Sequence, residues 1–378
     1  MRQYSSKDIG IDIAQVEALL AENRGFPIHT FHDPAVYAFE LQAIFHKTWQ
    51  YFAPLDKLSE QGSVVSGVVG RIPVAVTRAR DGKLYGFVNV CRHRGFPVVE
   101  GEKKCNLLTC RYHSWSYNLD GSLAVAPFTQ NDASFDKSKF GLLPIRVDTW
   151  AQGVFVNADP NAPSLREALP ALDKWTEEKG FLLGKDDYTF YRQVIIDQNS
   201  NWKLWYDNET ECYHCATIHD DSFNKAFNTF DGDAIMHEVR GSMLSMHFPG
   251  LEVPEQAVGD HLSTKTYRSF QFFPGCQLTQ HDDLMLMGKM TPTGPQSCRW
   301  TIDYLMQKGS DPARVDRWID IWTQTFQEDA DVTTIQQSSL SNDRTATFRF
   351  VPNRERMSQS IHHLIWQAYK ANLADGAV

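Results

Sequence analysis

Cys91 and His93 stand two apart in VCRHRG, and Cys110 and His113 stand three apart in CRYHSWSY. Two thiolates and two imidazoles suit zinc or an iron–sulfur cluster of mixed ligation. A lone Cys-x-His pair is a weak signal. Two such pairs close together, each in a turn at a strand end, are a much stronger one, because two facing loops can clamp one centre between their tips. Cys105, between the pairs, reads as a core thiol, since four ligands are already present. A second group lies in NWKLWYDNETECYHCATIHD, residues 201–220. His214 and His219 are five apart, which on an ideal helix sets them roughly 140° from each other. For both to reach one metal, the helix must end or widen between them. Glu211 and His214 are three apart and share a face.

The elements that must position these groups follow from hydrophobic period. Residues 33–49 carry apolar side chains at helical spacing. From about residue 50 the pattern changes to short β-branched runs broken by Gly, Pro and DG, with Asp81-Gly82 as a hairpin turn. Residues 141–160 read as two further strands, and a domain boundary is placed near 150. In the second half, 165–180 and 200–216 read as helical. Residues 235–248, 264–274, 278–290 and 297–307 read as antiparallel strands, and 312–337 and 358–373 as long helices. No internal repeat is visible.

The chain has 378 residues, 42% hydrophobic and 22% charged, enough to bury a core in two or three domains. A formal charge of −9 disfavours phosphate backbones and anionic membranes as partners. No uncharged apolar run approaches the roughly 18–20 residues of a membrane span, and the N-terminus lacks the pattern of a signal peptide. The expectation is a cytoplasmic protein with no nucleic-acid or membrane partner. Seven cysteines, an odd number, argue against a disulfide framework there. Cys212 and Cys215, flanking His214, read as packing residues.

The run Cys-x-His-Arg-Gly followed by Cys-x-Tyr-His-x-Trp-x-Tyr resembles the Rieske [2Fe–2S] signature, with Ser114 standing where that family commonly has Gly. The resemblance implies that Cys91 and Cys110 bind one iron and His93 and His113 the other. Neutral imidazoles then raise the cluster's potential above that of an all-Cys cluster. Asp-Asn-x-x-Glu-Cys-Tyr-His-x-x-x-x-His likewise resembles the mononuclear iron motif of Rieske-type non-haem iron oxygenases, the aromatic-ring-hydroxylating family. That family binds iron(II) through two His and one carboxylate and leaves positions open for O₂. His214 and His219 would be the imidazoles, and the carboxylate would come from TFQEDADVTTIQQ. Three acids compete there. With Trp322 taken as zero, Phe326, Asp329 and Thr333 fall within about 40° of it, while Glu328 falls near 240° and Asp331 near 180°. Asp329 alone lies on the stripe that includes Val315 and Trp318, and a buried acid needs a partner.

By the same resemblance Glu211 is not a ligand. It would bridge His113 of one subunit and His214 of its neighbour, carrying the electron between them. Tyr206, Asp207, Asn208 and Tyr213 are expected to support the ligands by hydrogen bonds. The implied fold is α+β: a β-rich Rieske domain (45–150) and a catalytic domain (151–378) whose curved antiparallel sheet grips a long C-terminal helix. Residues 1–44 would be a helical segment packed on the catalytic domain. The implied assembly is a head-to-tail homotrimer. A separate reductase or ferredoxin would supply electrons, NAD(P)H binding that partner because no Gly-rich dinucleotide fingerprint is present. Glu rather than Asp at 211 resembles the subgroup acting on quaternary amines such as carnitine, glycine betaine and stachydrine. Amine or aliphatic monooxygenation of a small organic substrate is therefore favoured over aromatic-ring dioxygenation. Some of Met243, Met246, His247, Phe248, Phe270, Phe272, Phe273, Met285 and Met287 should line the pocket. Two other classes remain: a Rieske electron carrier without its own catalysis, and a zinc-stapled binding module.

Overall fold

The computed structural model describes residues 2–184, 187–225, 227, 235–249, 266–281, 283–342 and 344–375. The chain divides into two compact units, Phe45–Ala171 and the remainder, Met1–Ile44 with Leu172–Val378. The N-terminal segment is helical. Asp12 caps α1 (Ile13–Ala21), and Asp33, followed by Pro34, caps α2 (Pro34–Glu40). The helical period over 33–49 is not one helix. It passes at Leu41–Phe45 into a wider π-turn.

The smaller unit is built from β1 (Gln50–Pro54), β2 (Ser63–Val69), β3 (Ile72–Arg78), β4 (Leu84–Val88), β5 (Glu102–Lys104), β6 (Leu108–Thr109), β7 (Ser116–Tyr117), β8 (Leu123–Val125), β9 (Pro144–Trp150) and β10 (Gly153–Asn157). Seven of these strands form one antiparallel sheet in the order β1-β10-β9-β4-β3-β2-β5, and β6, β7 and β8 form a small second sheet. The expected boundary near 150 falls between β9 and β10. Because β10 pairs with both β1 and β9, the chain stays in this unit through α3 (Leu165–Ala168) to Ala171. One core cluster of this unit contains Val64, Ala75, Phe87, Trp115 and Tyr117 together with Cys91 and Cys110, so the two cysteines are seated in packed apolar surroundings.

The larger unit adds α4 (Leu172–Glu178), β11 (Tyr188–Gln198), α5 (Trp202–Glu209), α6 (Cys215–Ile218), β12 (Met236–Arg240), β13 (Met243–Pro249), β14 (Thr266–Phe272), β15 (Cys276–His281), β16 (Leu284–Gly294), β17 (Ser297–Gln307), α7 (Pro312–Leu340) and α8 (Arg356–Asn372). Its seven strands run β11-β17-β16-β15-β14-β13-β12, antiparallel throughout. The reading of 235–248 as one strand is corrected to the hairpin β12–β13, turned at Gly241 with φ 60°. The reading of 278–290 is corrected to parts of β15 and β16. β11 was not expected. It is an edge strand with much of its surface exposed, so its alternation is diluted by polar residues.

α7 buries the expected stripe of Val315, Trp318, Trp322, Phe326, Asp329 and Thr333. Trp322 stacks on Phe326 and on Tyr267 of β14, and its Nε1 donates to His281 Nε2 of β15 at 2.7 Å. Gly288 lets the Trp300 ring lie flat on the sheet, since a Cβ there would meet that ring at 2.2 Å. Trp300 then touches Trp205 of α5 and Phe326 of α7. Among the described residues no helix is long and apolar enough to cross a membrane.

A buried polar hub joins three parts of this unit. The fully buried Lys203 and Glu40 side chains pair at 2.6 Å. Glu40 also accepts from Trp202 Nε1 at 2.7 Å and from the Tyr369 hydroxyl at 2.5 Å, while Lys203 donates to the Thr30 carbonyl at 2.9 Å. Burial pushes the Lys203 ammonium down, and Glu40 opposes that. Removing one partner of such a pair leaves an uncompensated buried charge. Glu40→Ala is therefore expected to cost about 3–5 kcal/mol of stability, read as a lowered denaturant midpoint. A midpoint within error of the parent's would mean the hub does not anchor α5.

Candidate functional site

In the smaller unit, two loops of the same construction face each other. In the first, Cys91 N–H donates to the Phe96 carbonyl at 2.8 Å and Gly95 N–H to the Cys91 carbonyl at 3.0 Å. In the second, Cys110 N–H donates to the Trp115 carbonyl at 2.8 Å and Ser114 N–H to the Cys110 carbonyl at 2.9 Å. The fifth residue of each loop is left-handed, Gly95 at φ 76° and Ser114 at φ 60°. Ser114 thus holds a backbone conformation that glycine adopts more readily.

These loops bring Cys91 and Cys110 into one core cluster as free, buried thiols, and burial pushes the Cys110 thiol up. Backbone N–H groups of Tyr112 and His113 point at the Cys110 sulfur. The Tyr117 hydroxyl, which accepts from Arg92 N–H, lies 3.2 Å from Cys91 Sγ. His93 and His113 have ring centroids 4.6 Å apart on the exposed side, with His93 stacked on Trp115. Sulfur donors inside, imidazole donors outside and N–H and O–H groups directed at the sulfurs together fit a [2Fe–2S] cluster of mixed ligation.

In the larger unit, the expected helix over 200–216 stops at Glu209. Asn201 caps its start, and Thr210 O–H bonds back to the Tyr206 carbonyl at its end. The chain then turns, and the single-turn α6 (Cys215–Ile218) follows with His214 at its N-cap and His219 at its C-cap. The two imidazoles therefore leave opposite ends of one turn and converge, with Nε2 atoms 3.3 Å apart. Asp329 Oδ1, from the buried stripe of α7, lies 3.2 Å from His214 Nε2 and 3.3 Å from His219 Nε2.

Each imidazole is turned by a second carboxylate. Glu211 Oε1 lies 2.5 Å from His214 Nδ1, and Glu328 Oε2 lies 2.8 Å from His219 Nδ1. Those acceptors place a proton on each Nδ1 and direct each Nε2 inward. The Glu211 carboxylate is itself fixed by the backbone N–H groups of Tyr213 and His214. Glu328 also accepts from Ser222 at 2.5 Å and Gln324 at 3.0 Å.

The three inward atoms form a nearly equilateral triangle. Edges of 3.2–3.3 Å suit donors each about 2.1 Å from a shared centre. Asp329 Oδ1 is buried and makes no well-directed hydrogen bond among the described residues. It belongs to a set of donors round one point rather than to a hydrogen-bonded chain. Two His and one carboxylate on one face fit a mononuclear non-haem iron site with open positions. Burial works against charge on His214, yet Glu211 and Asp329 carry it up to about 10. Burial likewise opposes the rise of His219, and the two imidazoles hold Asp329 below the usual carboxylate range.

The supporting residues divide. Asn208 Nδ2 lies 3.3 Å from His214 Nε2. Tyr206 instead ties α5 to the Pro274 carbonyl at 2.9 Å, Asp207 binds His362 of α8 at 2.8 Å, and Tyr213 is 58% exposed. Cys212 and Cys215 are joined as a disulfide, which corrects their reading as separate packing residues. The Cys215 sulfur is 4.0 Å from His214 Nε2, outside the triangle and without a thiolate to offer.

The triangle opens onto a narrow cavity, part of it open to solvent. Phe223, Tyr267, Trp322 and Phe326 wall it, with Met246 and Thr325. Of the sheet residues expected to line it, Met246 does. Phe270 faces the other way, onto Trp175 and Phe181, and the side chain of Phe248 lies outside the described residues. Two acids have places at the site that the sequence did not assign them. Glu328 lies off the buried stripe of α7 but beside Asp329. Glu209 lines the cavity, and burial, with the Asp329 charge, pushes its carboxyl up to about 8.

Comparison with known proteins assigns a domain family to each half of the chain. Residues 48–145 match the Rieske [2Fe-2S] domain, and residues 185–371 match the ring hydroxylating alpha subunit (catalytic domain). The carnitine monooxygenase oxygenase subunit of Escherichia coli (strain K12) is 35% identical over 194 residues, 51% of each chain. The glycine betaine monooxygenase oxygenase subunit of Pseudomonas aeruginosa (strain UCBPP-PA14) is 33% identical over 209 residues, 54% of this chain and 48% of that one. The chain thus spans about half the length of these curated relatives. A crystal structure of the quaternary ammonium Rieske monooxygenase CntA superimposes with a TM-score of 0.82 at 24% identity, covering 93% of this chain and 98% of that one, a likeness of fold. With a [2Fe–2S] domain followed by a mononuclear-iron catalytic domain, this chain belongs to the Rieske-type, ring-hydroxylating alpha-subunit family of non-haem iron oxygenases.

Proposed function

We propose that this chain is the terminal oxygenase component of a monooxygenase acting on a small amine, with quaternary ammonium compounds as the leading substrate class. The observation that carries the reading is the His214–His219–Asp329 triangle, open on one side to an aromatic-walled cavity. Similarity to carnitine and glycine betaine oxygenase subunits supports the amine class over ring dioxygenation.

Cys91, His93, Cys110 and His113 would hold the cluster, and His214, His219 and Asp329 the iron. Those groups, when bound, supply one-electron storage and oxygen activation. The chain's own residues do the positioning. Glu211 and Glu328 keep the Nδ1 protons and hence the ring orientations. The aromatic walls hold an apolar or cationic substrate and limit water around it. The Tyr117 hydroxyl near Cys91 Sγ would raise the affinity of a bound cluster for an electron.

Glu211 would also be the electron bridge. Its contact with His214 forms one half of that route, and the other half would come from His113 of a neighbouring subunit in a homotrimer. The donor would be a reductase or ferredoxin that takes up NAD(P)H in the cytoplasm.

Single turnovers of chemically reduced protein in ¹⁸O₂, with quaternary amines and aromatic acids offered together, test the reading. Formaldehyde or a labelled hydroxyamine is expected. A labelled phenol or cis-diol would instead make it a ring hydroxylator, and a cluster that reoxidises without product would make it an electron carrier. Asp329→Ala should remove the iron that is not in the cluster and leave the Rieske absorption intact; full iron content in that variant would refute the ligand assignment. Glu211→Gln should leave both centres filled and slow electron delivery roughly tenfold or more in single turnover, and an unchanged rate would exclude the bridge.

A further inference from the structure

The cavity contains an acid that the metal site does not use. Glu209 closes α5, two residues before Glu211, and lines the cavity beside Phe223, Tyr267, Trp322 and Phe326. Its carboxylate accepts from the Gln277 side-chain amide, a neutral partner. Gln277 pairs across β14 and β15 with Gln271. Gln271 is 2% exposed, and neither its amide nitrogen nor its amide oxygen has a hydrogen-bond partner among the described residues. At the two-residue period of a strand, Gln271 lies on the same sheet face as the cavity residue Tyr267. Glu209 thus stands between the aromatic wall of the cavity and a buried amide pair behind it.

No Lys or Arg is among the described residues that line this cavity. A buried carboxyl keeps its proton unless opposite charge comes with it, and only a cationic occupant lets it stand as a carboxylate. Aromatic faces favour that same charge, since their quadrupoles attract cations. The carboxylate and the rings therefore ask for one kind of occupant.

We propose that Glu209 is the charge-selecting residue of the pocket, placing the cationic nitrogen of a small ammonium substrate between its carboxylate and the rings of Phe223, Tyr267, Trp322 and Phe326. This deepens the function proposed above and rests on it for the identity of the cavity as the substrate site. Glu209 is a specificity residue: it neither binds the iron nor carries the electron, and its effect is on which molecule stays.

The test is binding to the holoenzyme as isolated, without reductant, followed by calorimetry. The probes are tetramethylammonium, choline, glycine betaine and carnitine, set against neohexyl alcohol, which is choline with carbon in place of the ammonium nitrogen. The parent protein should bind at least one ammonium probe roughly tenfold or more tighter than the alcohol. Glu209→Gln should lose that preference while keeping its affinity for the alcohol. Glu209→Asp, which keeps the charge, should retain a preference. Unchanged iron content and Rieske absorption in both variants would show an intact fold. A Gln variant that still prefers the cation, or a parent that prefers none of the four, would overturn the proposal. The two readings fail separately. Glu209-dependent binding with neither formaldehyde nor any ¹⁸O-labelled product would sink the oxygenase and leave the charge selection standing. Labelled product formed equally well by parent and Gln variant would do the reverse.

Discussion

Two imidazoles and a carboxylate held within 3.2–3.3 Å of one another, all largely buried, are the constraint around which the larger unit is arranged. Such a cluster is costly without a shared cation. It persists because each member is fixed from behind. Glu211 turns His214, Glu328 turns His219, and the apolar stripe of α7 sets the depth of Asp329. His219 and Glu328 are 109 residues apart in sequence, so the site exists only when α6 and α7 are docked.

A second layer of buried polar contacts holds α5, the helix that leads into Glu211 and His214. The Glu40–Lys203 pair and its Trp202, Tyr369 and Thr30 bonds clamp α5 between the N-terminal segment and α8. From the other end, Asp207 binds His362, and Thr210 binds Ser358 at 3.0 Å. α5 is short, and its last residues lead straight into Glu211 and His214. A shift at its base would move both. The N-terminal helices, remote from the chemistry in sequence, therefore help to set its geometry.

The smaller unit meets a comparable demand by repetition. Two loops with the same pair of backbone hydrogen bonds and the same left-handed fifth residue present Cys91 with His93, and Cys110 with His113. Both cysteines belong to the core and both histidines lie toward the surface. One side of the ligand set is thereby shielded, and the other lies toward solvent.

Much of this was legible in the sequence. Donor types and spacings singled out the residues of both constellations, and the resemblance to a family supplied the metals they would hold. Asp329 could be picked from three neighbouring acids because helical period reports which face is buried, and the face is a local property. Glu328 could not, because its role depends on His219 descending on the flank of α7. Glu209 could not, because β15 and α7 create its surroundings. β11 was hidden by its exposed edge, and the break of the helix at Glu209 fell where polar residues leave no period to read. The sequence by itself determined the donor atoms, the family and the buried face of α7. Only the tertiary structure decided which carboxylate holds which imidazole and which acid faces the cavity. Periodicity encodes a residue's side, whereas its partners are set by the packing of segments far apart along the chain.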